Sequence, residues 1–201
     1  MYSVFRPVLR SWRNRQLIAV LRTSIPSLFE MKPHWWLAQP IQTMLSPMIF
    51  AVDKKAPLLD NYQTDRDLDL YSEKLISIFN AAGVRFETFP TTLVDYRSND
   101  VLSVKYEVFH LLERYRCADI QRSQDGPLAL TEDCLHQDRP LFRLAEAPQI
   151  VLIRQDLQSA LEAAQVTGCW YVPLSEYQKV ALYPDLADEE KQPPHHLDDI
   201  P

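Results

Sequence analysis

The sequence predicts an α+β domain: a mixed or mainly antiparallel sheet, helices packed on it, and two related strand-helix-strand units. Three observations carry this. Leu157, Ala160, Leu161 and Ala164 place apolar groups at i, i+3, i+4 and i+7, one face of an amphipathic helix. Leu75, Ile78, Phe79 and Ala82 repeat those offsets about eighty residues earlier. At both places a short apolar run precedes the helix, Leu68 to Tyr71 and Ile150 to Ile153, and an aromatic-rich run follows it, Val84 to Phe89 before Pro90 and Cys169 to Val172 before Pro173. Two copies do not make a solenoid. Gly83 and Gly168 fall just past the two helices, where a left-handed residue ends a helix.

The elements follow in order. Tyr2 to Phe5 starts a strand, and a basic helix is expected after Pro7, to about residue 22. Prolines at 26, 33, 40, 47 and 57 leave room only for short elements between them. Trp35 and Trp36 lie in that stretch, as anchors of an irregular cover over the core or as aromatic surface. After the first unit, Val104, Tyr106, Val108 and His110 alternate with Lys105, Glu107 and Phe109, a strand pattern. Cys117 to Ile120 suggests another strand, Ser123 to Pro127 a loop, and Leu128 to Leu130 and Leu141 to Leu144 short strands around the polar segment Thr131 to Pro140. The expected organisation is a proline-rich, partly basic segment over residues 1–50 packed on the body, an α+β domain over 51–182, and an acidic, loosely attached tail over 183–201.

Composition bounds the function. With 46% apolar residues among 201, the chain can bury a real core. A net charge of −6 argues against general nucleic-acid binding, which needs a basic surface. The charge is uneven: residues 1–32 carry a balance of +5 and the remainder −11. The three cysteines, Cys117, Cys134 and Cys169, form no CxxC pair, which suits reduced thiols and a cytoplasmic home. No secretory signal or membrane span is evident, and no membrane partner is expected.

Chemistry-bearing motifs are scarce. With three glycines there is no G-x-G-x-x-G and no Walker loop, so no cofactor is expected. Asp65, Asp67 and Asp69 imitate the opening of a calcium loop, but Leu70 and Ile76 stand where glycine and a bidentate glutamate are required. Ser123, Cys117, Cys134, His110 and His136 lack the neighbourhood of a nucleophile elbow or a papain-like cysteine. Cys134 and His136 are too few for a zinc site. No residue is assigned a catalytic or metal-binding role.

The segment LFRLAEAPQIVLIRQDLQSALEAAQVTGCWYVPL, with Phe142, Arg143, Leu157, Leu161, Ala164, Thr167, Gly168 and Pro173, resembles the immunity-protein family first found beside a myxobacterial toxin and formerly catalogued as a domain of unknown function. YEVFHLLERYRCADIQRS, leading to Ser123, and Ser72 before Leu75 fit as well, so the resemblance spans roughly residues 50–180. It implies a cytoplasmic antidote of a bacterial polymorphic toxin system that binds one cognate toxin and blocks its active site or substrate access, without being an enzyme. The alternatives are an adaptor or chaperone that loads an effector onto a secretion machine, and an enzyme reversing a toxin-made modification. The expected partner surface is Trp35, Trp36, Asp65, Asp67 and Asp69, since aromatics anchor interfaces and charges steer approach. The toxin's identity and the oligomeric state are left open.

Overall fold

The computed structural model describes residues 1–7, 18–23, 35–41, 48–66, 68–124, 126–135, 138–177 and 182. The expected basic helix after Pro7, Asp67, His136 and the tail over 183–201 lie wholly or largely outside them. Among the described residues there are eleven strands against four short α-helices, a helical stretch at 35–37 and one 3-10 turn, Leu174–Glu176. This corrects the expected α+β class with packed helices. The chain is mostly β, a closed six-stranded barrel beside a five-stranded sheet.

The barrel is built from β2 (Ile18–Leu21), β3 (Met48–Val52), β4 (Asn61–Thr64), β5 (Asp69–Ser72), β6 (Phe86–Asp95) and β7 (Tyr106–Leu111), in the order β2-β3-β6-β7-β5-β4. The β2–β4 and β3–β6 pairs are parallel and the others antiparallel. Closure leaves no free edge, and its interior is filled by side chains including Met48, Phe50, Tyr62, Leu70, Leu93 and Val108. The strand expected to stop before Pro90 continues through it. Up to Pro90, β6 pairs with β7, and from Thr91 it pairs with β3, so the proline sits where the strand changes partner. Ile18–Leu21 is a strand within the stretch expected to be helical. The expected boundary between residues 50 and 51 passes through β3.

The second sheet runs β11-β1-β10-β9-β8, with β1 (Tyr2–Pro7), β8 (Arg114–Tyr115), β9 (Leu141–Leu144), β10 (Val151–Arg154) and β11 (Cys169–Pro173). The strand-helix-strand segments exist locally, as β5-α1-β6 with α1 Glu73–Ala81, and as β10-α4-β11 with α4 Gln155–Ala163. In each, the flanking strands are separated by a third that pairs antiparallel to both, β7 in one and β1 in the other. Leu75 and Phe79 of α1 and Leu157 and Leu161 of α4 share one core with Phe5, Tyr71 and Phe109. Phe5 of the sheet reaches Tyr71 of the barrel, 6.5 Å between ring centroids, and Phe79 of α1, 6.0 Å.

Asp60 bolts the two units together. Its carboxylate accepts from the Ser72 hydroxyl at 2.7 Å, the residue that caps α1, and from the Thr167 amide at 2.8 Å and hydroxyl at 3.0 Å. Burial alone would raise the Asp60 carboxyl, but these hydrogen bonds and the nearby Lys74 ammonium outweigh it and hold it below the ordinary value of 3.8. A depressed folded-state pKa stabilises the fold above the ordinary value, and that contribution is lost as pH falls through the folded value. Asp60→Asn is therefore expected to be about 2 kcal/mol less stable than the parent at pH 7. The gap should close as both are acidified below pH 3.8 in urea titrations; a gap independent of pH would contradict the charge-based account.

The glycines divide in role. Gly83 (φ 75°) ends α1 as expected, followed by Val84 N–H donating to the Phe79 carbonyl. In the second unit the equivalent position is Gln165 (φ 52°), followed by Val166 N–H donating to the Leu161 carbonyl. Gly168 (φ 82°) is thus not the helix-ending residue; it lies against the barrel, where a Cβ would come within 2.3 Å of the Asn61 carbonyl oxygen.

Between the units the expected strands give way to other structure. Ile120–Gln124 is a short helix (α2), Glu132–Leu135 another (α3), and only an isolated bridge joins Ala118 to Leu130. The reason is covalent: Cys117 and Cys134, expected as reduced thiols, form a disulfide that gathers this segment over Phe142 and Leu144. Cys169 remains a free thiol, which burial pushes up to about 12. Closing a loop of sequence separation 17 stabilises a fold by about 3 kcal/mol. Replacing both Cys117 and Cys134 with alanine should lower the denaturation midpoint accordingly, and reducing the parent should reproduce the loss.

Candidate functional site

A cleft of about 380 Å³ opens between the five-stranded sheet and the barrel. Its sheet wall comes from register: Arg143 of β9 faces Val151 of β10, which faces Phe5 of β1, so the three stand in one cross-strand row. Asp69 and Tyr71, two apart on β5, line the opposite wall, and Trp35 and Trp36 cover it.

The structure brings three of the expected partner residues, Trp35, Trp36 and Asp69, into this cleft. Trp35 is an anchor as well as a lining residue. It is only 4% exposed, packs into the barrel core, and lies 4.3 Å from the His110 ring, while Nε2 of His110 contacts the Gln39 carbonyl at 2.9 Å. Ile41 N–H donates to Glu87 at 2.8 Å, fastening the far end of residues 35–41; burial raises the Glu87 carboxyl, and this bond partly offsets it. Trp36, by contrast, is 52% exposed at the mouth. Asp65 does not line the cleft. Its carboxylate accepts from Leu21 N–H at 2.9 Å and Asp65 N–H donates to the Ala19 carbonyl, so it joins β2 to the end of β4 where the barrel closes.

The residue that sequence reasoning missed as a site residue is Arg143. It is 5% exposed, within a strand whose four residues are all buried. Its Nη1 donates to the Pro148 carbonyl, Nη2 stands 4.0 Å from the Asp69 carboxylate, and Nε has no hydrogen-bond partner among the described residues. Burial pulls the guanidinium below its ordinary value, opposed by Asp69 and abetted by the like charge of Arg114. The same burial, with Asp69 alongside, pushes the Tyr71 hydroxyl well up. Nε1 of Trp35 is likewise buried with no partner among the described residues. The signal in the sequence was an arginine inside the apolar run LFRL.

Among the described residues no group of three or more His, Cys, Asp or Glu is placed to hold a metal ion, and no helix is long and apolar enough to cross a membrane. No protein-family model matches the chain, and no curated protein is significantly similar to it in sequence.

Proposed function

We propose that this chain is an immunity protein that binds a cognate bacterial effector toxin and blocks its active site or its access to substrate. The reading rests on the resemblance in the second strand-helix-strand segment, and the observation that carries it is the cleft. Tryptophan, tyrosine and arginine are the residue types that dominate binding energy at protein interfaces, and here an exposed Trp36 lines one cleft with buried Trp35, Tyr71 and Arg143. The body's negative charge suits a toxin with a basic substrate cleft, drawn in electrostatically. The partner is a protein; nucleic acid, membrane, cofactor and catalysis form no part of the proposal.

The test is co-expression with the toxin encoded beside this chain. Protection with a durable stoichiometric complex supports the reading, and Trp36→Ala should weaken that complex. A complex in which the toxin stays active indicates an effector-loading adaptor, and protection at substoichiometric protein indicates an enzyme that reverses the damage; either overturns occlusion.

The cytoplasm is the proposed place of action. The Cys117–Cys134 disulfide favours a second reading, an oxidising compartment such as the periplasm. Alkylation of freshly lysed native cells separates them: three reactive thiols after unfolding mean the cytoplasm, and one means the oxidising compartment.

A further inference from the structure

The cleft is short of acceptors. Two of its lining residues carry a buried donor with no partner among the described residues, Nε of Arg143 and Nε1 of Trp35, and a buried donor without one is costly enough that nearly all are satisfied. The nearest carboxylate, Asp69, stands 4.0 Å from Nη2, beyond hydrogen-bond reach. With Nη1 taken by the Pro148 carbonyl, the edge formed by Nε and Nη2 remains, a planar pair of donors that matches the two oxygens of a carboxylate. Among the described residues the charged ones lining the cleft are Arg6, Arg143 and Asp69, two cations against one anion, a net charge of +1 for that part of the lining within a chain of −6. That balance suits a monoanion and disfavours a phosphate dianion. Phe5, Tyr71 and Val151 supply apolar wall, and the volume is within the range of small-ligand sites.

We propose that this cleft is a binding site for a monocarboxylate on an aromatic or apolar body, its oxygens received by the Nε–Nη2 edge of Arg143 and by Nε1 of Trp35. The site stands whether or not the chain neutralises a toxin. The carboxylate has two possible sources, a free small acid or the end of a partner's chain, and both present the same chemistry to Arg143.

Phenylacetate and its uncharged isostere phenylacetamide, titrated into the full chain by calorimetry and followed by amide NMR, test this directly. Phenylacetate should bind at least roughly tenfold more tightly than the amide, the difference expected of a charge-assisted hydrogen bond. Shifts should centre on residues of β1, β5 and β9. Trp35→Phe, which keeps a ring and removes only the indole N–H, should weaken phenylacetate severalfold and leave the amide unchanged, and Arg143→Lys should abolish the preference between the two. N-acetyl-Gly-Phe, with its free terminal carboxylate, and its C-terminal amide form the second arm. Tighter binding of the peptide acid than of phenylacetate assigns the cleft to a chain end, and the reverse assigns it to a small acid. No binding of either acid at about 10 mM, well above the weak end of ordinary small-ligand affinities, or equal binding of acid and amide in the parent protein, overturns the proposal without reference to any variant.

Discussion

Gly168→Ala is expected to destabilise the protein by about 4 kcal/mol, lowering its melting temperature by about 10 °C. Two effects add. Gly168 has φ 82°, a conformation that costs an ordinary L-residue about 1 kcal/mol or more. Its new Cβ would also lie 2.3 Å from the Asn61 carbonyl oxygen and 3.1 Å from Cβ of Leu59, and since the first is backbone, the two chains must part. Parting them strains the Asn61 N–H bond to the Thr167 carbonyl at 3.1 Å and the Asp60 bonds to Thr167 beside it, each worth about 1 kcal/mol. Gly83 is the control. It has φ 75° and open space around it, with nothing within 4 Å of where a Cβ would stand, so Gly83→Ala should show the conformational part alone, about 1 kcal/mol. Equal losses for the two alanines in thermal melts would mean that the contact with Asn61 does not matter.

The adjacent tryptophans should behave oppositely. Trp35→Ala empties a site in the barrel core, removing the ring contacts to His110 and Phe89, and is expected to cost about 3–5 kcal/mol in urea unfolding. Trp36→Ala, at an exposed position, should stay within about 0.5 kcal/mol of the parent. The double substitution would confound a binding test, because Trp35 serves as core and cleft wall together. Trp36 alone reports on the surface; unchanged toxin affinity in a folded Trp36→Ala protein would remove it from the interface.

What the sequence displayed was local. The i, i+3, i+4, i+7 spacing marks α1 and α4 because a helix repeats within a few residues, and the apolar runs mark the strands beside them. What it concealed was long-range pairing. Nothing near β5 or β6 says that β7 will lie between them, nor that β1 will lie between β10 and β11, so a class with helices packed on one sheet was inferred in place of a barrel and a second sheet. Pro90 looked like a terminator because proline lacks a donor, yet at a change of partner the missing donor is tolerated. An odd cysteine count suggested free thiols, and only the fold brings Cys117 to Cys134. In the site, Trp35, Trp36 and Asp69 were legible as residue types, whereas Arg143 acquires its meaning from burial opposite Asp69.

The place of β1 has a consequence for biogenesis. It leaves the ribosome well before both of its neighbours, which are encoded far downstream, where Tyr2 meets Arg154 and Phe5 meets Tyr171. Until that distant stretch has been translated, both hydrogen-bonding edges of the strand are open to stray association with other chains. Sheet assembly must therefore wait for that stretch to be translated, and closure over such separation slows it.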